Sequence, residues 1–413
     1  MLVRHRFLTS FSAHLGVQRR HFSEVCIVGA ARTPIGGFNG SLSSFSAPSL
    51  GALAITGALT RSGLSADLVQ QVWMGNVLSA GLGQAPARQA ALLAKLPDSA
   101  CCTTINKVCS SGIKAVVLGA QQIMLGQADV IVAGGMESMS NAPYYLPKAR
   151  WGHRMGHGQV VDGMITDGLW DVYDDCHMGS FAELCAETLG IDRAEQDAHA
   201  DESYARARAA HSAGHFASEV EPVVVSSRKG SRTVDADEEP QTQKSSAAEA
   251  RPAFKKVGGT VTAANASTLS DGAAALVLMS RDAADAHGAT VLATIKGYAD
   301  AEQAPSLFTT APALAIPKAV ENSGLQMDQV DFFEINEAFS VVAVANSKLL
   351  GLPAAQVNVH GGAVALGHPI GCSGARIVVT LLSVLKQRKG RFGVAGICNG
   401  GGGASALVVE NVQ

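Results

Sequence analysis

The chain has 413 residues, more than one ordinary hydrophobic core organises, so two or three domains are expected. Hydrophobic residues make up 47%, aromatics 5%, glycine occurs 44 times and formal net charge is −3; this suits closely packed α/β layers and argues against a basic nucleic-acid surface. No apolar run reaches about 18 residues, so no membrane span is expected.

Residues 1–22 differ in kind from the rest. They carry Arg4, Arg6, Arg19 and Arg20, and the first acidic residue is Glu24. That composition fits a mitochondrial transit peptide, the alternative being a basic tail. Arginine shortly before Phe22-Ser23 resembles a matrix-protease cleavage context, which puts the mature protein in the mitochondrial matrix. The eight cysteines include no CxxC pair and do not make a small disulfide scaffold. A reducing compartment keeps them as thiols.

Glu24–Ala31 reads as a buried strand ended by Arg32-Thr33-Pro34. Leu50–Thr60 is helical, Gln71–Val77 a strand and Arg88–Ala94 a short helix. Ile113, Val116, Val117, Ala120 and Met124 form one apolar stripe, so a buried helix follows the polar turn around Cys109. Ala128–Gly135 is another buried strand. This alternation predicts a parallel sheet covered by helices on both faces. From Ser140 to about Asn265 the composition shifts to Trp, His, Tyr and Asp clusters, with a polar helix over Arg193–His215. The charged stretch Asp235–Pro252 reads as a surface loop. This block is an inserted, mostly helical excursion.

Ala273–Met279 resumes the layered pattern as a buried strand. Thr294–Tyr298 and Val330–Ile335 are strands, and Glu337–Lys348 is a helix. Phe392–Ile397 and Ala404–Val409 form a strand pair around the glycine run after Cys398. Val108–Val117 and Gly371–Thr380 echo each other, both small-residue turns entering an apolar helix. That is a sign of two copies of one α/β unit. The expected division is a first half over 23–139 completed by 269–287, an insert over 140–268, and a second half over 288–413.

Four short stretches could converge near strand ends. Cys109 sits where a helix begins, and the positive end of a helix favours thiolate, which lowers a thiol pKa below about 8.5. Asn336 to Phe339 follows a buried strand, Gly367-His368-Pro369 lies in a glycine-rich loop, and Cys398 to Gly403 lies between two strands. Each has a bland reading: a buried cysteine, a helix N-cap at Asn336, a satisfied loop histidine, a tight glycine turn. No Walker-type or GxGxxG phosphate loop follows a strand.

Together INKVCSSG, NEAF, GGAVALGHPIGCSGAR and ICNGGGGAS resemble the signature blocks of the thiolase family, in order, from Glu24 to the C-terminus. HMGSFAE (His177–Glu183) and TAANAS (Thr262–Ser267) resemble its biosynthetic, acetoacetyl-CoA branch. The resemblance implies two similar αβα halves in a five-layered αβαβα core with an inserted loop domain that holds coenzyme A. It implies the reversible reaction 2 acetyl-CoA = acetoacetyl-CoA + CoA, with no cofactor for the chemistry. Cys109 would carry the acetyl group, His368 would take its proton, and Cys398 would be the acid/base. Asn336, through a water, and the N–H groups of Cys109 and Gly400 would serve two oxyanion sites, the glycine keeping side chains clear of the acyl oxygen.

By the same resemblance, Leu169, His177, Met178, Tyr204, Phe254, Ser267, Phe308 and Phe339 would contact substrate or CoA. The family's adenine-side pattern is not evident; Lys244 and Arg251 are the near candidates. Phe308 stands where relatives that accept 2-methylacetoacetyl-CoA have phenylalanine, but Thr309 replaces their proline. Tyr204, with carbonyls of Ala263, Ala264, Ala266 and Val364, matches a potassium site of those relatives. A homotetramer is implied, and residues 152–163 are read as a tetramer contact or a loose loop. The rival readings are a β-ketoacyl synthase, disfavoured by the second cysteine, a longer-chain 3-ketoacyl-CoA thiolase, and a non-catalytic acyl-CoA-binding protein, which would need none of the four site residues together.

Overall fold

A computed structural model describes residues 23–228, 230–242 and 246–413; the expected leader, 1–22, and Lys244 lie outside the described residues. In the first half, strands β1 (Val25–Arg32), β2 (Gln71–Gly75), β3 (Cys101–Ile105) and β4 (Val130–Ser138) alternate with helices α1 (Ala47–Ser62), α2 (Pro86–Leu93) and α3 (Ser111–Met124). The segment between β4 and β5 (Ser270–Ser280) contains helices α4 (Met178–Leu189) and α5 (Arg193–Ser212) and short two-stranded ribbons. The second half contains β6 (Ala293–Glu302), α6 (Pro312–Asn322), β7 (Phe332–Ile335), α7 (Ser340–Leu350), α8 (Ile370–Arg388), β8 (Phe392–Asn399) and β9 (Gly403–Asn411). Local signals set the ends of α1: Ser46 accepts the Ser49 N–H, Pro48 lies in the first turn, and Gly63 closes the helix at φ +69°.

The strand order is β7-β8-β9-β6-β1-β5-β4-β2-β3. The sheet is mixed, which corrects the expectation of a parallel one. Only β2–β3, β2–β4 and β7–β8 run parallel. The last strand of each half, β5 or β9, returns antiparallel and inserts between its half's first strand and the strand before it. The strand β3 escaped sequence reading because Cys101–Ile105 is partly exposed and carries no alternating apolar pattern.

The internal repeat covers four strands of each half, with β3 an additional edge strand of the first. The first half pairs as β2-β4-β5-β1 and the second as β7-β8-β9-β6, with the same strand senses. Even the irregularity recurs: register shifts fall between Ile27 and Gly29 and between Ile295 and Gly297. The halves join edge to edge through two residue pairs, Cys26 with Thr294 and Ile27 with Ala293.

Five layers result. Helices α3 and α8 form the middle one; their Ile113, Val116, Ile377 and Leu381 pack with Ile131 and Leu278 of one half and Ile397 and Leu407 of the other. Outside the first half, Leu50 and Ile55 of α1 cover Val132 and Val277. Outside the second, Ile316 and Val320 of α6 cover Phe333 and Val408. Helix α8 is long and apolar enough to cross a membrane, but it is buried here on nearly all sides, as a central core helix must be.

The insert is pinned to β1 by a buried ion cluster. Arg32 Nε meets Glu219 at 2.6 Å, and its two terminal nitrogens meet Asp237 at 2.7 and 2.9 Å. Asp237 is 4% exposed, so the stretch read as a surface loop contributes a core anchor. Its charge is tolerated because a guanidinium satisfies both carboxylate oxygens.

The middle helices cross backbone to backbone at two glycines. A Cβ on Gly112 would lie 2.6 Å from Ala375 N, and one on Gly374 2.5 Å from Ile113 N. Gly119, on the same helix, would meet only side-chain carbons at 3.2 to 3.4 Å. Gly112→Ala and Gly374→Ala are each expected to destabilise by about 3 kcal/mol or more, at the upper end of overpacking costs. Gly119→Ala should stay near neutral, because helix propensity offsets the tighter contact. Urea denaturation midpoints check this; equal midpoints for the three variants would remove the crossing as a constraint.

Candidate active site

The crossing brings the N-terminal ends of α3 and α8 together, and each is entered by a loop that a serine organises. Ahead of α3, Ser111 Oγ donates to Val108 O at 2.6 Å and accepts from Lys107 N at 2.8 Å. The turn holds Val108 at φ +46°, an unfavourable conformation for a β-branched residue. Cys109 follows. Next to it, the Ser110 hydroxyl lies 2.9 Å from Asn399 Oδ1 and 3.2 Å from Ile397 O, which docks the cysteine turn onto β8.

Ahead of α8, Ser373 Oγ donates to Pro369 O at 3.1 Å. Its only hydrogen is thereby used, so at 2.6 Å it accepts from His368 Nδ1–H. That fixes the tautomer and leaves Nε2 as an acceptor, with Asn336 Nδ2 at 3.4 Å. Asn336 is fully buried and its Oδ1 has no partner among the described residues. It is not a helix cap, since α7 begins at Ser340.

A cavity of about 310 Å³ opens at Cys109 and His368, and Asn336 lies outside its lining. Cys109, His368 and Gly400 line it, together with Leu169, His177, Met178, Phe254, Ser267, Phe308 and Phe339. Phe254 stacks on His177 at 4.8 Å and meets Phe339 edge-on at 6.3 Å. His177 Nδ1 accepts Gly179 N–H, so its Nε2 carries the hydrogen. Ser267 Oγ donates to Ala338 O at 2.8 Å, tying the end of the insert to the Asn336 segment. Met139, Met164, Ile165 and Ile370 also line the wall; the sequence reading did not single them out, because an apolar residue at a cavity wall and one in the core look alike in sequence.

Some expected positions fall elsewhere. Tyr204 is buried away from the cavity in a cluster with Val364 and Ala264, so it is not a substrate contact in this structure. Arg251 is exposed and lines no part of the cavity. Cys398 lies behind the wall, fully buried, with Met178, Phe308 and Phe339. A Cβ on Gly400 would approach only Val108 and Met178, at 3.6 Å or more, so the free protein does not require glycine there. The tight position is Gly402, at φ +94°, where a Cβ would lie 2.2 Å from Gln303 O.

Burial governs the charges. It pushes the Cys109 thiol up to about 12, although the N–H groups of Gly400 and of Cys109 itself point at the sulfur and oppose the rise. The expectation of a thiolate favoured by the helix end is therefore corrected: loss of water around the sulfur outweighs the helix and the two donors. Burial, helped by the nearby Arg376 charge, lowers His368 to about 3. Burial and the neighbouring Cys109 raise Cys398 well above the ordinary thiol range. The resting pair is thus neutral thiol and neutral imidazole. Among the described residues, no group of three or more His, Cys, Asp or Glu side chains is arranged to hold a metal.

The thiolase N-terminal domain pattern matches residues 25–282 and the thiolase C-terminal domain pattern residues 289–411. The sequence is 62% identical over 390 residues to Acetyl-CoA acetyltransferase 2 of Arabidopsis thaliana, covering 94% of this chain and 97% of that one. It is 55% identical over 392 residues to Acetyl-CoA acetyltransferase of Schizosaccharomyces pombe, covering 94% and 99%. It is 52% identical over 395 residues to Acetyl-CoA acetyltransferase of Saccharomyces cerevisiae, covering 94% and 99%.

The neutral pair has a pH signature. With His368 deprotonated above about 3 and Cys109 protonated below about 12, alkylation of Cys109 by iodoacetamide tracks the trace of thiolate. Its rate should rise roughly tenfold per pH unit between pH 7 and 9, without an inflection near 6.5. Mass spectrometry of the Cys109 peptide measures it; a plateau across this range would show a preformed thiolate–imidazolium pair instead.

Proposed function

The chain belongs to the thiolase family, and from that premise we propose that it interconverts two acetyl-CoA with acetoacetyl-CoA and CoA through an acetyl thioester on Cys109. The carrying observation is the convergence on one cavity of the Cys109 sulfur, two N–H donors aimed at it, and a histidine whose tautomer leaves Nε2 free to accept.

In thiolysis, Cys109 Sγ attacks the 3-keto carbon of acetoacetyl-CoA as His368 Nε2 takes its proton. The C2–C3 bond then breaks, leaving acetyl on Cys109, and Cys398 protonates the departing acetyl-CoA carbanion. Cys398, now the base, takes the proton of CoA, whose sulfur captures the acetyl group; the acetyl–Cys109 bond breaks and His368 returns its proton to the departing Cys109 sulfur. Condensation runs the same steps backwards, with Cys398 removing the Cα proton of acetyl-CoA. An acetyl thioester on Cys109 is nearly isoenergetic with one on CoA, so exchange between the two sulfurs is reversible, while the carbon–carbon step favours thiolysis. The N–H groups of Cys109 and Gly400 would hold the acyl oxyanion, and His368 with an Asn336-bound water the second one. Loss of one such donor typically costs about 2.7–4 kcal/mol of barrier.

Finer features belong to the same proposal. Phe308, packed against Phe181 at 6.4 Å, is the residue by which 2-methylacetoacetyl-CoA acceptance would be decided. Potassium would be held by the Tyr204 hydroxyl and the carbonyls of residues 263, 264, 266 and 364. Tyr204, Ala264 and Val364 share one cluster, and no described hydrogen bond reaches the carbonyls of Ala263 or Ala264. A bound ion there would brace the insert against the segment that lines the cavity. Residues 1–22 would direct import into the mitochondrial matrix. The exposed Tyr144, Trp151, Met155 and Tyr173 of the insert favour assembly into a homotetramer.

Incubation with acetyl-CoA, whose acyl transfer releases no carbanion, should give an acetyl mass increment on Cys109 in the wild type and in Cys398→Ala, and none in Cys109→Ala. Condensation should be lost in both variants. Acetylation persisting in Cys109→Ala would sink the assignment. Activity should be higher in K+ than in equal Na+, and equal rates would remove the ion. Import assays should yield a chain shortened near residue 23 that sediments as four copies; an uncut or monomeric product would count against those two readings.

A further inference from the structure

The repeat extends from the strands to the site. Gly75 pairs with Gly135 in the first half, and Ile335 with Gly396 in the second. The next residues along β2 and β7 are Asn76 and Asn336. Two residues past Gly135 and Gly396 stand Glu137 and Cys398, opposite Gly272 and Ala404 on the antiparallel neighbours. Gly112 and Gly374 occupy equivalent places at the helix crossing, and three residues before them stand Cys109 and Gly371. The trio Cys109, Asn336 and Cys398 thus has a counterpart in Gly371, Asn76 and Glu137.

The counterpart is closed. Glu137 Oε2 accepts the N–H of Gly371 and of Val77, each at 3.0 Å. Its Oε1 accepts Asn76 Nδ2 at 2.8 Å and Leu78 N–H at 3.2 Å. A Cβ on Gly371 would lie 2.7 Å from Oε2. Where the second half has a cavity, the first has a fully buried carboxylate with four donors. Those donors are strategic. Gly371 is three residues from His368, and Val77 and Leu78 pack with Ile370, Met164 and Cys109 at the cavity wall.

We infer that Glu137 is a positioning residue for acyl transfer, the first half's counterpart of Cys398, holding the His368 loop and the Val77–Leu78 wall in register with Cys109. The inference rests on the acyl-transfer reading above. Glutamine matches glutamate in shape but would turn an NH2 group toward two N–H donors, leaving both unsatisfied in a buried place. Aspartate keeps both oxygens. The better steric mimic should therefore be the worse enzyme.

The test compares Glu137→Gln, Glu137→Asp and Asn76→Ala with wild type. It reads kcat and KM for acetoacetyl-CoA thiolysis, the rate of Cys109 acetylation, and the urea midpoint. The expected result is a kcat loss of about 100-fold for Glu137→Gln, near the penalty of a lost charged acceptor. Glu137→Asp should lose less than Gln, and Asn76→Ala, which removes one of four donors, about 3- to 10-fold. KM should stay within about threefold throughout, because the clamp touches no substrate. Glu137→Gln equal to wild type, or Asp worse than Gln in folded protein, would overturn the inference. If Glu137→Gln does not fold, Asn76→Ala decides: an unchanged kcat and acetylation rate overturns the clamp. Wild type that forms no acetyl-Cys109 would instead refute the acyl-transfer reading itself.

Discussion

Two helices touch backbone to backbone at Gly112 and Gly374, and the rest of the molecule is arranged around that contact. Main chains approach this closely only where both partners lack a side chain. The contact fixes where α3 and α8 begin relative to each other. Their two entering loops then have to share one space, with Cys109 in one and His368 in the other. Sheets on either side keep the crossing dry and rigid through the central cluster of branched side chains. The site is therefore a property of the interface between halves, and neither half contains it alone.

Dryness has a chemical price that the geometry accepts. A half-buried sulfur facing an apolar cavity resists ionisation, and a buried imidazole resists protonation. Both shifts act against an ion pair at rest. The N–H groups of Gly400 and Cys109 that point at the sulfur oppose the first of these shifts. Ser373 matters here out of proportion to its size. By using its hydrogen on Pro369 O it makes His368 present a lone pair to the cavity rather than a proton.

Much of this was legible in the sequence. The strands Val25–Arg32, Val130–Ser138 and Ser270–Ser280 announce themselves because both faces are buried and nearly every residue is apolar or small. The four site stretches were legible as motifs, and the echo between residues 108–117 and 371–380 pointed to the repeat. Other features were hidden for physical reasons. Strand sense depends on the path of the chain, which composition does not record, so the sheet was misread as parallel. Asp237 sits in a run of polar residues, and only its meeting with Arg32, distant in sequence, makes it a core group. The rise in the Cys109 pKa reflects enclosure by residues from many separate stretches, whereas the helix end that argued for a fall is local. Glu137 lies beyond the strand expected over Ala128–Gly135, and its four donors come from two distant loops.

The position of β5 carries a consequence for biosynthesis. It lies between β1 and β4, yet the chain reaches it only after residues 139–269. At translation rates of about 5–20 residues per second, β4 waits for roughly 7–26 seconds, and β1 longer, with their facing edges unpaired. Nascent chains in that interval present two bare strand edges rich in valine and isoleucine, the kind of surface that chaperones bind and that otherwise aggregates. Completion of the first half is thus timed by the length of the insert, so lengthening or slowing translation of that segment prolongs the most aggregation-prone stage of the protein's life.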